Sequence, residues 1–165
     1  MHPEGAPVTV LAVVSTAVTV PAALDPVAHE VLPGVERLHL VDEGLLRIAR
    51  TDGVTAALVD RLAGHVAGAA TAGADAVLVA CSSIGEAAET VAERSAVPVR
   101  RIDAPMAVEA VDRARRGGGR VGVLATLGST MDPTTRLLRR AAAVPAPGMA
   151  AGAVHAAGAV PVTVT

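Results

Sequence analysis

The chain has no phenylalanine, tryptophan or tyrosine in its 165 residues. No ring is available to stack on a nucleobase, which argues against the usual single-strand-binding modules. A net charge of −2 supplies no electrostatic footprint for a phosphate backbone either, so no nucleic-acid partner is expected. There is one cysteine, hence no internal disulfide, which fits a reducing, cytoplasmic setting. The five histidines (His2, His29, His39, His65 and His155) show no ligand spacing, so no metal site is expected.

Signals for membranes and cofactors are also lacking. Val8 to Leu24 is uncharged for seventeen residues, but it is short for a span and is interrupted by Ser15, three threonines and Pro21. Met1 to Pro7 carries no Lys or Arg, so it lacks the basic start of a signal peptide. The expectation is a soluble chain with no membrane partner. There is no Walker A sequence and no Gly-x-Ser-x-Gly elbow. Gly117-x-Gly119-x-x-Gly122 matches the dinucleotide fingerprint by letter, but it follows a helical pattern and precedes a strand. That order is the reverse of the one the fingerprint requires, so the glycines read as a helix terminator. Cys81 has alanine, not arginine, six residues on (Ala87), which excludes a phosphatase-type loop.

What is present is aliphatic. Half the residues are apolar (52%), and the core must be built from Val, Leu, Ala and Ile. Val8–Val14 is a near-continuous apolar run ending at Ser15-Thr16. A weak helix pattern follows over Ala22–Leu32, and Val35–Val41 alternates as a strand. Asp42-Glu43-Gly44 reads as a solvated turn into Leu45–Arg50. Thr51-Asp52 is expected to cap an amphipathic helix carrying Val54, Leu58, Leu62 and Val66, stopped by Gly73. Pro98–Ile102 and Val121–Thr126 read as further strands. The segments after them, Asp103 to about Arg116 and Thr134–Ala142, read as helices.

Between these lies Ala74-Asp-Ala-Val-Leu-Val-Ala-Cys-Ser-Ser-Ile-Gly-Glu86. Its apolar run is a buried parallel strand that ends at Cys81. Ser83 and Glu86 have capping-box spacing, which opens a helix over Ile84–Ser95. A thiol at such a junction meets free backbone N–H groups and the positive end of a helix dipole, both of which favour the thiolate. The plain alternative is a buried structural cysteine. Strands alternating with helices imply an α/β fold, a parallel sheet with helices on both faces. Ligands in such sheets bind beyond the strands' C-terminal ends. Ser15-Thr16, Cys81-Ser82-Ser83 and Thr126 with Ser129-Thr130 all fall at strand ends, and their hydroxyls suit a small carboxylate or other anion.

Ala74–Gly85, Arg101-Ile-Asp-Ala-Pro-Met106, Gly119–Thr126 with Asp132-Pro-Thr-Thr135, and Leu40–Leu46 together resemble the aspartate/glutamate/hydantoin racemase superfamily. The resemblance runs from about Val8 to Ala142. It implies two pseudo-symmetric α/β lobes: residues 1–103 as the first, carrying Cys81, and 104–142 as the start of the second. It also implies cofactor-independent chemistry in which thiolates face the substrate's α-carbon from each lobe. On this resemblance Cys81 is the acid/base of an isomerase. Ser82 and Ser83 are its carboxylate-binding neighbours, joined by Ser15 or Thr16 and by Thr126.

Two features depart from that pattern. The second cysteine is absent, and Ala141–Thr165 contains no Asp, Glu, Lys or Arg. The Ala/Gly/Val/Pro tail at 143–165 reads as a short helix around Ala150–Ala157 with a strand at Val160–Val164, as disorder, or as sequence out of register with the rest. An incomplete second lobe is the expectation, and its exposed apolar faces would favour a homo-oligomer. Three functions follow: a racemase or isomerase working through Cys81, a catalytically inactive carboxylate-binding or scaffold protein of the same fold, and a thiol-dependent redox protein.

Overall fold

The apolar runs that end at Ser15 and Cys81 become neighbouring parallel strands, and the rest of the first half is wound around them. A computed structural model describes residues 8–117, 119–144 and 163–164. The chain divides into two units, Met1–Asp103 and Ala104–Thr165.

In the first unit the order is β1 (Val10–Ser15), α1 (Val20–Val31), β2 (Glu36–Val41), α2 (Glu43–Thr51), α3 (Ala56–Thr71), β3 (Ala76–Val79), α4 (Gly85–Ala92) and β4 (Val99–Arg101). A 3₁₀ turn, Ser82–Ile84, lies between β3 and α4. The four strands are parallel in the order β2-β1-β3-β4, an open α/β sheet with helices on both faces. Side chains alternate across a strand, so Ala12, Val14, Val77, Val79 and Val99 share one face. That face buries Leu45 and Ala49 of α2, Leu58, Leu62 and Val66 of α3, and Ala87, Ala88 and Val91 of α4. On the opposite face Leu11, Val13 and Leu78 lie against α1 across an aliphatic cavity of about 180 Å³. No residue of α1 is fully buried, so this side is packed more loosely than the other.

The second unit contains α5 (Ala104–Arg116), β5 (Arg120–Val121), α6 (Gly128–Ala143) and β6 (Thr163–Val164), with β5 and β6 parallel. Ala107 and Val111 of α5 pack with Leu137 and Leu138 of α6. The glycine run does terminate a helix: Gly119, at φ +79°, turns back so that its N–H reaches the Ala114 carbonyl at 2.7 Å, a left-handed closure that glycine adopts without strain.

Several expected boundaries move. Thr51 is the last residue of α2, not a cap. Thr55 is the N-cap of α3, accepting from the Leu58 N–H at 3.3 Å, and Val54 lies outside the helix and exposed. Gly53, at φ +73°, makes the turn that separates the two helices. Ser83 sits within the 3₁₀ turn, and Ile84 takes the N-cap position of α4 without a side-chain cap bond. The strand expected over Val121–Thr126 is paired only at Arg120–Val121, and α6 begins six residues earlier than the Thr134 start expected for it. The helix expected at Ala150–Ala157 lies outside the described residues, as does most of the strand expected beside it.

Candidate functional site at the sheet edge

Register decides which residues meet. Ser15 pairs with Val41, Val14 with Val79, and Val79 with Arg101. The ladder runs on past these pairs, because the N–H groups of Asp42, Ala80 and Ile102 bond the carbonyls of Ser15, Val14 and Val79 at 2.9, 2.8 and 3.0 Å. Continued by one or two residues, the same registers bring Asp42, Thr16, Cys81 and Asp103 into a row across the C-terminal edge. This is the edge where open parallel sheets bind ligands.

Cys81 leaves β3 in extended conformation and caps the 3₁₀ turn, with the Ile84 N–H reaching its carbonyl at 3.3 Å. Its thiol is free and half-buried. Beside it Ser15 is wholly buried, and its hydroxyl has no partner among the described residues. Thr16 and Ser83 are also buried. Ser82 is half-buried.

The turn after β2 is not solvated. Asp42 is buried and caps α2 by accepting from the Gly44 N–H at 2.9 Å. It also takes two bonds from Arg61, at 2.6 and 2.9 Å, and meets His65 Nε2 at 2.7 Å. Arg61 and His65 are one helical turn apart on α3, which lets both reach one carboxylate. The Arg61 hydrogen bonds, with help from His65, the Gly44 N–H and the Arg61 charge, hold the Asp42 carboxyl well below the usual range against the effect of burial.

A second buried ion group stands at the other end of the row. Arg101, 3% exposed, donates to both oxygens of Asp103 at 2.6 and 2.9 Å and to Glu89 at 2.9 Å. Burial pushes the Asp103 carboxyl upward, but the Arg101 bonds and charge outweigh it and leave it lowered. Arg101 is raised despite its own burial, by the bonds and charges of Asp103 and Glu89. The guanidinium lies over the first residue of α4: a Cβ on Gly85 would stand 2.3 Å from Arg101 Cζ.

An open depression of about 640 Å³ adjoins Thr16, with Gly44, Arg47 and Arg50 in its wall. Helix α2, which forms that wall, packs on the Ser82–Ile84 turn. Glu43 lines it too, so the two guanidinium groups, which suit an anion, share the wall with one carboxylate.

The structure thus brings together Ser15, Thr16, Cys81, Ser82 and Ser83 at one edge. Thr126 lies in the second unit, exposed, between β5 and α6. Residue patterns missed Asp42, Arg61, His65, Arg101, Asp103 and Gly85 as parts of the edge. The one usable signal was an acidic residue directly after a strand, at Asp42 and again at Asp103. His39 bonds Asp25 at 2.8 Å, and Arg37 bonds the same oxygen at 3.1 Å. Among the described residues no group of three or more His, Cys, Asp or Glu side chains could hold a metal ion, and no helix is long and apolar enough to cross a membrane.

No curated protein matches the chain. The family model for Asp/Glu/hydantoin racemase matches residues 14–156, a span that takes in the whole edge from Ser15 to Asp103. A parallel α/β sheet with a strand-cysteine-serine-serine junction at its C-terminal edge agrees with that match, and the chain belongs to the Asp/Glu/hydantoin racemase family.

Proposed function

We propose that the chain is a cofactor-independent racemase or isomerase that acts on a small amino acid or carboxylate through Cys81. Family membership supports racemase-type chemistry. The observation that carries the specific reading is the row Asp42, Thr16, Cys81, Asp103, which sets the single thiol at the ligand edge of the sheet, one residue before a helical turn. The Cys81 thiolate takes the proton from the substrate's α-carbon. The C–H electrons pass into the carboxylate as an enediolate, and a returning proton re-forms the C–H bond. Thr16 and the backbone N–H at the start of the turn, that of Ser82, bind the carboxylate and stabilise the developing charge, and Ser15 and Ser83 line the same edge. With one cysteine in the chain, the proton delivered to the opposite face comes from water or from a group other than a second thiol of this chain.

Exchange of the α-hydrogen in D₂O needs only one base, so it is the direct assay. Incubation with a panel of amino acids and small hydroxy and dicarboxylic acids, read by NMR, is expected to show exchange that falls about a hundredfold or more in Cys81→Ala. Exchange that survives this substitution overturns the role given to Cys81. The single cysteine also favours a second reading: a protein that binds carboxylates without turning them over. That reading requires a ligand-dependent rise in melting temperature on titration with small carboxylates and no exchange with any of them.

A further inference from the structure

We infer that Asp42, Arg61 and His65 form a clamp that sets the first turn of α2, and with it the charged wall of the depression beside Thr16. For its bearing on a substrate this rests on the reading of the sheet edge given above. The geometry of the clamp is its independent support. The Asp42 carboxylate takes four contacts at 2.6–2.9 Å: the Gly44 N–H and Arg61 Nη2 on Oδ1, and Arg61 Nε and His65 Nε2 on Oδ2. A carboxylate has about four lone-pair sites, so Asp42 has none left for a ligand. It is a positioning residue, and the group it positions is the Gly44 N–H in the first turn of α2.

A helix cap needs only a side-chain oxygen and one N–H; the fork and imidazole that reach over from α3 exceed that need. What a planar guanidinium fork adds is direction. Space has been left for it. Gly44 is not among the glycines with positive φ, and a Cβ on it would stand 2.8 Å from Arg61 Nη2 and 2.9 Å from Asp42 Oδ1, so glycine is there for room. Helix α2 also needs such a hold. It is nine residues long, with only Leu45 and Ala49 buried, and a helix of that length is marginal by itself. The same helix carries Glu43, Arg47 and Arg50 into the wall of the depression that Thr16 and Gly44 also line. None of the ion pairs among the described residues includes these three side chains. Charges left unpaired around one depression are open to a ligand, and where they stand depends on how the first turn of α2 is set.

Amide exchange and anion binding, both read by NMR, test the clamp and the wall. Arg61→Met removes the fork and keeps the stem. Arg61→Lys keeps the positive charge but lacks the planar fork that meets both carboxylate oxygens. Arg94→Met breaks the exposed Arg94–Asp60 pair and is the control for losing a paired arginine. The Gly44 amide is expected to exchange at least fivefold faster than in the parent in Arg61→Met and at least twofold faster in Arg61→Lys, and to stay within twofold in Arg94→Met. Succinate is the probe for the wall. It is expected to shift the amides of Arg47 and Arg50 in the parent, with Kd raised at least twofold in both Arg61 variants and within twofold of the parent in Arg94→Met. A merely structural pair lowers the folded fraction and leaves the Kd of the folded molecules alone, and a loss in Arg61→Lys is not a loss of charge. A change of less than twofold in Gly44 exchange or in succinate Kd in Arg61→Lys overturns the proposal, and does so even if Arg61→Met fails to fold. A parent in which succinate moves no α2 amide overturns it too. Where the parent exchanges an α-proton, KM is expected to rise at least twofold in Arg61→Lys while kcat stays within twofold. A parent that exchanges nothing defeats the reading of Cys81, and the amide and succinate comparisons still decide whether the clamp sets the wall.

Discussion

Gly85 is defined by the side chain it lacks. Alanine in its place gains at most about 1 kcal/mol of helix propensity, but its Cβ would meet Arg101 Cζ and Nη2 at 2.3 Å and push the guanidinium off Asp103. Leaving one member of a buried pair unmatched costs about 3 kcal/mol or more, so the clash wins. Gly85→Ala is expected to lower the unfolding free energy by about 2 kcal/mol in urea titrations, and a neutral result would mean the guanidinium has room to move. None of this was legible in the sequence. Cys81 stood out because it is the only thiol and follows an apolar run. The partners that order its surroundings carry no local signature: Asp42 meets Arg61 and His65 across 19 and 23 positions, and Gly85 looks like any glycine near a helix start. Contacts set by tertiary approach leave their residues looking like ordinary surface charges in a linear reading.

At the scale of elements, the sheet was the legible part and the helix starts were not. β1 and β3 are short apolar runs followed by hydroxyls or a thiol, a pattern with few rivals. The start of α3 is ambiguous in sequence because Thr51, Asp52 and Thr55 are all cap-type residues, and Val54 fits the i, i+4 apolar series of Leu58, Leu62 and Val66. The left-handed turn at Gly53 resolves it, ending α2 at Thr51 and leaving Thr55 to accept from Leu58 N–H. A paired substitution checks the assignment. Thr55→Ala removes a genuine cap and is expected to cost about 1 kcal/mol. Thr51→Ala removes only an exposed hydroxyl bonded to the Arg47 and Ile48 carbonyls, and is expected to change stability by less than about 0.5 kcal/mol. The reverse order in denaturant midpoints would put the cap back at Thr51. The beginning of α4 is ambiguous for a related reason. A Ser-x-x-Glu spacing fits both a capping box and a 3₁₀ turn running into a helix, and here the chain makes the turn first.

Across the whole molecule, the ion groups at the sheet edge make stability depend on pH in a set direction. The Asp42 carboxyl is lowered from 3.8 by Arg61 and His65, and that of Asp103 is lowered from the same value by Arg101, which prevails over its burial. A carboxyl with a depressed folded-state value binds its proton more readily in the unfolded chain. Its contribution is therefore complete above the unfolded value and is lost as pH falls toward the folded one. Stability is expected to be flat with respect to these two groups above about pH 5 and to drop on acidification below about pH 4. Where the unfolded carboxyl is protonated and the folded one is not, each group adds a slope of about 1.4 kcal/mol per pH unit. Asp42→Asn should lower stability at neutral pH and also flatten the acid limb, since one of the two protonations is gone. Denaturant titrations of the parent and Asp42→Asn at pH values from 7 down to 2.5 measure both effects. An unchanged acid slope in the variant would mean that the Asp42–Arg61–His65 group does not hold its carboxylate in solution, and the β2 end of the row beside Thr16 and Cys81 would lose its anchor.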